Sequence, residues 1–392
     1  MNRTRVLVEV RQMRFAEAYE GWRMGRLTQE EAAELLAVSD RTFRRFSRRF
    51  EEEGEDGLLD RRMGRESAKL APVDEVMELA EIYRSRYRGW TVKHFFDFYQ
   101  AKHAGQRSYT WVKNRLQQQG VVIRAKRRGA HRRKRERRPL PGMMLHQDGS
   151  RHEWMAGLAC DLIITMDDAT SEIYSALLVE EEGTMSSFLG VQAVIEQKGL
   201  FSSLYTDRGS HYWFTPKAGA KVDRAQPTQF HRALKQLGIE LIAAYSPQAR
   251  GRSERTFKTW QDRLPRELAL ARITTMAAAN KYIQRRFLPA FNRLFRVPAR
   301  ESGSGFVPFI GNNLADVLSM QEERVVWNDN CVRYRNLSLQ ISADEHRCHY
   351  VKANVRVHEY PDTTLAVFHG PRCLARYSAQ GKPLKARLRR AA

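Results

Sequence analysis

The sequence predicts a multidomain α+β protein: N-terminal helix-turn-helix domains, a mixed α/β core in which helices cover a sheet, and a C-terminal small β-barrel. Three observations predict it. Roughly the first 120 residues carry apolar side chains at helical spacing. Residues 143–270 alternate strand-like and helix-like runs, and residues 324–377 break into short β-rich runs separated by turns. A chain of 392 residues with 42% apolar and 10% aromatic side chains can build several cores. No run approaches the roughly 20 apolar residues of a membrane span, and Met1–Gln12 lacks the apolar block of a signal peptide. Cys160, Cys331, Cys348 and Cys373 are scattered without a CxxC pair, which disfavours a disulfide scaffold and fits a cytoplasmic protein.

In the first domain, residues 1–65, Leu27 to Phe50 reads as two short helices. Thr28 can cap the first, with Glu31 completing a capping box, and Ala32, Leu35 and Leu36 form its apolar stripe. Val38-Ser39-Asp40 interrupts, and Ser39 or Asp40 can cap the next helix. That helix sets Phe43 and Phe46 on one side and Arg41, Arg44, Arg45, Arg48 and Arg49 elsewhere. This is the layout of a helix-turn-helix whose second helix enters a major groove. An ordinary helical hairpin with a solvated basic face is the blander reading. Residues 66–123 suggest a second helical, helix-turn-helix-like unit, with Ser108 or Thr110 capping a last helix that presents Lys113, Asn114 and Arg115.

The net charge of +22 is concentrated. Residues 1–100 hold 19 basic and 19 acidic side chains, whereas residues 101–140 hold 14 and one, a net of 14 − 1 = +13. Residues 124–140 form a basic linker containing Lys126, Arg127, Arg128, Arg132, Arg133, Lys134 and Arg135. Such a run repels itself unless a polyanion neutralises it, with counterion release as the drive. The expected partner is double-stranded DNA; the alternative is a solvated linker without a ligand. Residues 381–392 repeat the basic character as a tail.

Residues 141–300 read as the core: three strands with short links, then helix, strand, helix, strand, helix. Asp148, Asp207 and Glu254 stand at the ends of these elements. Two strand-end aspartates and a helix-borne glutamate are the kind of set that can share two Mg²⁺ ions, with Mn²⁺ as a substitute, for in-line phosphodiester displacement. Spacing alone does not establish this, because 45 acidic residues supply many triplets.

The local motifs add to it. His146-Gln147-Asp148-Gly149-Ser150, Tyr205-Thr206-Asp207-Arg208-Gly209-Ser210 and Ser246-Pro247-Gln248-Ala249-Arg250-Gly251-Arg252-Ser253-Glu254-Arg255 resemble the DDE transposases of bacterial insertion sequences. Those enzymes share the ribonuclease-H-like catalytic core of retroviral integrases. The resemblance implies that Asp148, Asp207 and Glu254 are the catalytic and metal-binding triad. It implies binding of an element's terminal inverted repeats, cleavage at the element ends and transesterification of the 3′-ends into target DNA. It also implies homo-oligomers in a synaptic complex and association with the bacterial nucleoid. Forty-six residues separate Asp207 from Glu254, more than in many integrase-like members, and the surplus falls in Trp213–Gln226.

Lys258, one turn after Glu254, would meet phosphates beside the metals or form a plain surface pair with it. His146 and His152 are expected to pack or touch DNA, since Mg²⁺ prefers oxygen. Residues 301–320 read as a linker and 321–380 as the small barrel. Two other readings stay open: a DNA-binding regulator or inactive domesticated relative, and a ribonuclease-H-like nuclease that cuts without joining.

Overall fold

The computed structural model describes residues 3–59, 71–124, 136–217, 221–223, 225–245, 247–343 and 347–384. Lys126, Arg127, Arg128, Arg132, Arg133, Lys134, Arg135 and most of the basic tail therefore lie outside the described residues. The chain divides into two compact units, residues 1–82 and 83–392.

The first unit contains α1 (Arg3–Arg23), α2 (Gln29–Leu35) and α3 (Asp40–Glu53). The capping box forms: Glu31 N–H donates to Thr28 Oγ1 at 3.2 Å and Thr28 N–H donates to the Glu31 carboxylate at 2.7 Å. Ser39 caps α3 by accepting from Thr42 N–H. Phe15, Ala18 and Tyr19 of α1 close over Ala32, Ala33 and Phe43, so the small pair on α2 lets three helices meet in one core. Helix α1 completes that core, although its charged sequence gave little sign of it.

In the second unit, α4 (Val73–Arg86, begun in the first) is followed by α5 (Val92–Lys102) and α6 (Tyr109–Gln118). Thr91 caps α5 and Ser108 caps α6. The core then contains β1 (Leu145–Met155), β2 (Leu158–Asp167), β3 (Ile173–Val179), α7 (Thr184–Lys198), β4 (Ser203–Thr206), α8 (Gln229–Gln236), β5 (Glu240–Ala243) and α9 (Pro247–Leu270). The sheet order is β3-β2-β1-β4-β5. The first three strands pair antiparallel and β4 and β5 join in parallel, the mixed sheet expected from the order of strands and helices.

Alternation along β1 decides what each face holds. Leu145 and Gln147 point to α7: Leu145 shares a core with Phe188 and Val191, and the Gln147 amide donates to Ser187 O. Gly190 leaves room for that amide, since a Cβ there would lie 2.4 Å from Gln147 Nε2. His146, Asp148, Ser150 and Trp154 point the other way, where Trp154 packs with Phe257, Trp260 and Leu264 of α9. The core therefore has two layers of helix, and the first aspartate faces the helix that bears the glutamate.

Helices α10 (Met276–Tyr282) and α11 (Leu288–Phe295) cover the β3 edge. Asn280 accepts from Leu178 N–H at 2.6 Å and donates to Leu178 O at 2.8 Å. Asn292 does the same to Ile173, at 3.0 and 2.8 Å. Two side-chain amides thus stand in for a neighbouring strand and satisfy an edge that would otherwise invite pairing.

After α12 (Leu314–Val317) come β6 (Met320–Val325), β7 (Cys331–Tyr334), β8 (Leu337–Gln340), β9 (Asn354–Glu359), β10 (Leu365–His369), β11 (Arg372–Tyr377) and β12 (Pro383–Leu384). The small β-barrel expected here does not close among the described residues. The strands form an open sheet, β12-β11-β10-β9-β6, and a separate β7-β8 hairpin. The hairpin reverses at Arg335-Asn336, both with positive φ, and lays Val332, Tyr334 and Leu339 against Val357 and Val367 of the sheet. Side-chain packing takes the place of a hydrogen-bonded seam.

His358 on β9 is 6% exposed, stacks on Phe368 and contacts Ser319. Burial pushes its pKa down to about 4. The unfolded chain then binds this proton first, so stability is lost as pH falls from about 6.5 towards 4, by about 3 kcal/mol. Denaturant unfolding across that range should show the loss, and His358→Gln should flatten it; an unchanged slope contradicts the assignment.

Candidate active site

Asp148 and Asp207 come to matching positions just past the β1–β4 ladder. The β1–β4 pairing matches Leu145 with Leu204 and His146 with Tyr205, so two residues on the same parallel register sets Asp148 beside Asp207. Asp148 is 8% exposed and Asp207 is partly exposed at the end of β4. Asp207 Oδ1 accepts from Gly209 N–H at 2.9 Å, a tight turn that fixes its side chain. Both aspartates act on the phenol of Tyr212, whose pKa is raised well above 10 by burial and by the charges of Glu182, Asp148 and Asp207.

Glu254 is on α9, and two cross-links set that helix against β1. At one end Arg252 pairs with Asp168, which also accepts from His146 Nε2 at 2.8 Å. At the other, Gln261 Nε2 donates to Ser150 Oγ at 3.0 Å. Arg252 to Gln261 spans roughly 13.5 Å of helix and His146 to Ser150 roughly 13 Å of strand. The lengths agree, so α9 runs beside β1 in the same direction, and Glu254 falls opposite the stretch that contains Asp148. Its side chain is exposed. Among the described residues no three of His, Cys, Asp and Glu are gathered closely enough to hold a metal ion. The donors fit a hard cation in kind, all three being carboxylate oxygens. Carboxylates at close range repel, so it is a cation that would have to draw the three together.

Several neighbours were not singled out from the sequence. Glu182, just before α7, lies where a Gly149 side chain would be: a Cβ there would stand 2.2 Å from its carboxylate. His211 faces Glu182 at 3.6 Å, and burial lowers the His211 pKa against the opposing charge of Asp207. Asp168, fully buried at the end of β2, takes the Arg138 backbone N–H at 2.8 Å besides His146 and Arg252. Burial alone would raise its pKa, but those hydrogen bonds and charges outweigh it and hold the carboxyl far below its ordinary range. Arg137 donates to Asp168 O and Ser171 Oγ, both at 2.8 Å, so the last residues of the basic segment are tied to this turn. An Asp-Asp pair in a turn after a strand was the one signal available.

His146 packs on Tyr205 and His152 on Trp154. Arg41, Arg44, Arg45 and Arg48 are exposed on α3; Arg44 pairs with Asp40 and Arg48 with Glu52, while the Arg45 guanidinium lies over Phe46. Lys113 and Arg115 on α6 are partly exposed beside Tyr109 and Trp111. Lys258 is exposed one turn beyond Glu254, on the same helix face.

With this geometry in place, the comparisons with known proteins point one way: the chain is similar to transposases of bacterial insertion sequences, as its motifs implied. The putative transposase y4bF of Sinorhizobium fredii is 29% identical over 348 residues, 88% of this chain and 75% of that one. The transposase for insertion sequence IS1202 of Streptococcus pneumoniae is 29% identical over 203 residues, 52% of this chain and 43% of that one. A family model described as winged helix-turn-helix matches residues 16–76. Among solved structures, a simian T-cell lymphotropic virus intasome in complex with PP2A regulatory subunit B56 gamma covers 74% of this chain and 95% of its own at 14% identity and a TM-score of 0.35. The HTLV-2 integrase catalytic core in complex with magnesium covers 38% and 88%, at 14% identity and a TM-score of 0.29. Likenesses this loose carry no argument about the site. Among the described residues no helix is long and apolar enough to cross a membrane.

Proposed function

We propose that this chain is a DNA transposase that binds the terminal repeats of an insertion sequence, cleaves the strands at the element ends and joins the 3′-ends to target DNA. Asp148, Asp207 and Glu254 would hold a pair of divalent cations, Mg²⁺ or Mn²⁺. The observation that supports the reading is the parallel register of β1 and β4, which continued by two residues puts Asp148 level with Asp207, together with the cross-links that tie α9, the helix bearing Glu254, to the β1 side of the sheet. Bound there, the cations would supply an activated oxygen nucleophile and neutralise the leaving oxygen of the displaced phosphodiester.

The chain's own residues do the rest. The Gly209 amide keeps Asp207 turned at the strand end. Lys258 offers a cation to phosphates along the Glu254 side of α9. The exposed arginines of α3 and the basic faces of α6 and residues 124–138 would grip the duplex, each charge contact adding to its salt dependence. Handling two element ends together calls for at least two copies of the chain.

A strand-joining assay on duplexes that carry the repeats flanking the gene tests this. Joined product should form with Mg²⁺ or Mn²⁺, vanish with EDTA and return when metal is restored. Binding without any product would favour a regulator, and cut ends never linked to a second duplex would favour a nuclease.

A further inference from the structure

Asp168 belongs to no motif, yet three parts of the second unit converge on it. Its carboxylate takes His146, which lies two residues before Asp148 on the same side of β1. It takes Arg252, two residues before Glu254 on α9. It also takes the backbone of Arg138, while Arg137 grips its carbonyl. The carboxylate is fully buried and Arg252 is 19% exposed, so the pair is shielded from water and salt.

From this convergence we infer that Asp168 is a positioning residue, which clamps the first turns of α9 to β1 and so sets Glu254 opposite Asp148. The inference rests on the catalytic reading of those two carboxylates. The clamp can be tested apart from that reading, because its contacts, Asp168 with His146, Arg252 and the Arg138 backbone N–H, are made within the fold. It makes the end of the basic segment part of the same knot.

The test uses the full chain and two variants. Asp168→Asn removes the charge that holds Arg252, and Arg252→Gln removes the other partner while leaving Asp168 with His146 and the Arg138 amide. Amide hydrogen exchange at residues 251–257 should speed up at least tenfold in both, with exchange in α7 unchanged. In a titration followed by electron paramagnetic resonance, the Mn²⁺ concentration for half-saturation should rise at least tenfold in both. If Asp168→Asn does not fold, Arg252→Gln alone carries the test. Exchange and Mn²⁺ half-saturation both within twofold of the unaltered chain would overturn the inference. Faster exchange, together with Mn²⁺ binding that Asp207→Asn leaves untouched, would uphold the clamp and overturn the catalytic reading instead.

Discussion

Replacing Asp207 with asparagine is expected to cut strand joining by about three orders of magnitude while duplex binding persists. Asn and Asp have nearly the same shape, and an Asn side-chain oxygen can still accept from Gly209 N–H, so the turn after β4 is kept. What is lost is one of two neighbouring negative charges available to a divalent cation, and a metal-stabilised phosphoryl displacement draws several kcal/mol from such charge. The DNA-gripping candidates on α3 and α6 lie on other elements, so affinity for the repeats should stay within about twofold of the original. Joining at the original rate in the variant would remove Asp207 from the chemistry.

The second large effect concerns stability. Arg263 of α9 is 7% exposed and meets Asp97 of α5 at 2.9 Å, next to fully buried His94, which meets Glu267 of α9 at the same distance. Asp97→Ala leaves a buried guanidinium without this carboxylate, and breaking such a pair from one side costs about 3–5 kcal/mol. Lys93, which also pairs with Asp97, is 53% exposed and loses little. Denaturant unfolding should show the full loss, and adding Arg263→Met should recover most of it, since the uncompensated charge is then gone. A loss below about 1 kcal/mol, with no recovery in the double variant, would mean that the pair does not join α5 to α9.

Elements whose signals are local were legible in the sequence. The Thr28–Glu31 box, the Ser39 and Ser108 caps and the strand-helix order of the core appear where periodicity and capping set them. Strand β1 runs five residues beyond Ser150, where Arg151, His152 and Glu153 are polar residues that give no apolar alternation to mark a strand. Helix α9 begins at Pro247, inside the motif that contains Pro247 and Gly251; proline is at home in a first turn. The open C-terminal sheet was not legible, since β-rich runs do not reveal whether the last seam is made by backbone or by side chains. Nor was the Asp168 clamp, whose partners lie 22 and 84 residues away in the chain. In the candidate site, the aspartate pair follows from strand register, and the approach of α9 follows from two long-range cross-links.

Asp148, Asp207 and Glu254 are proposed to share divalent cations. Anomalous diffraction from crystals of the full chain, grown with its repeat DNA and Mn²⁺, tests it most directly. Manganese peaks bounded by oxygens of all three side chains are expected. Manganese bound elsewhere, or held by the two aspartates with Glu254 left pointing to solvent, would contradict it.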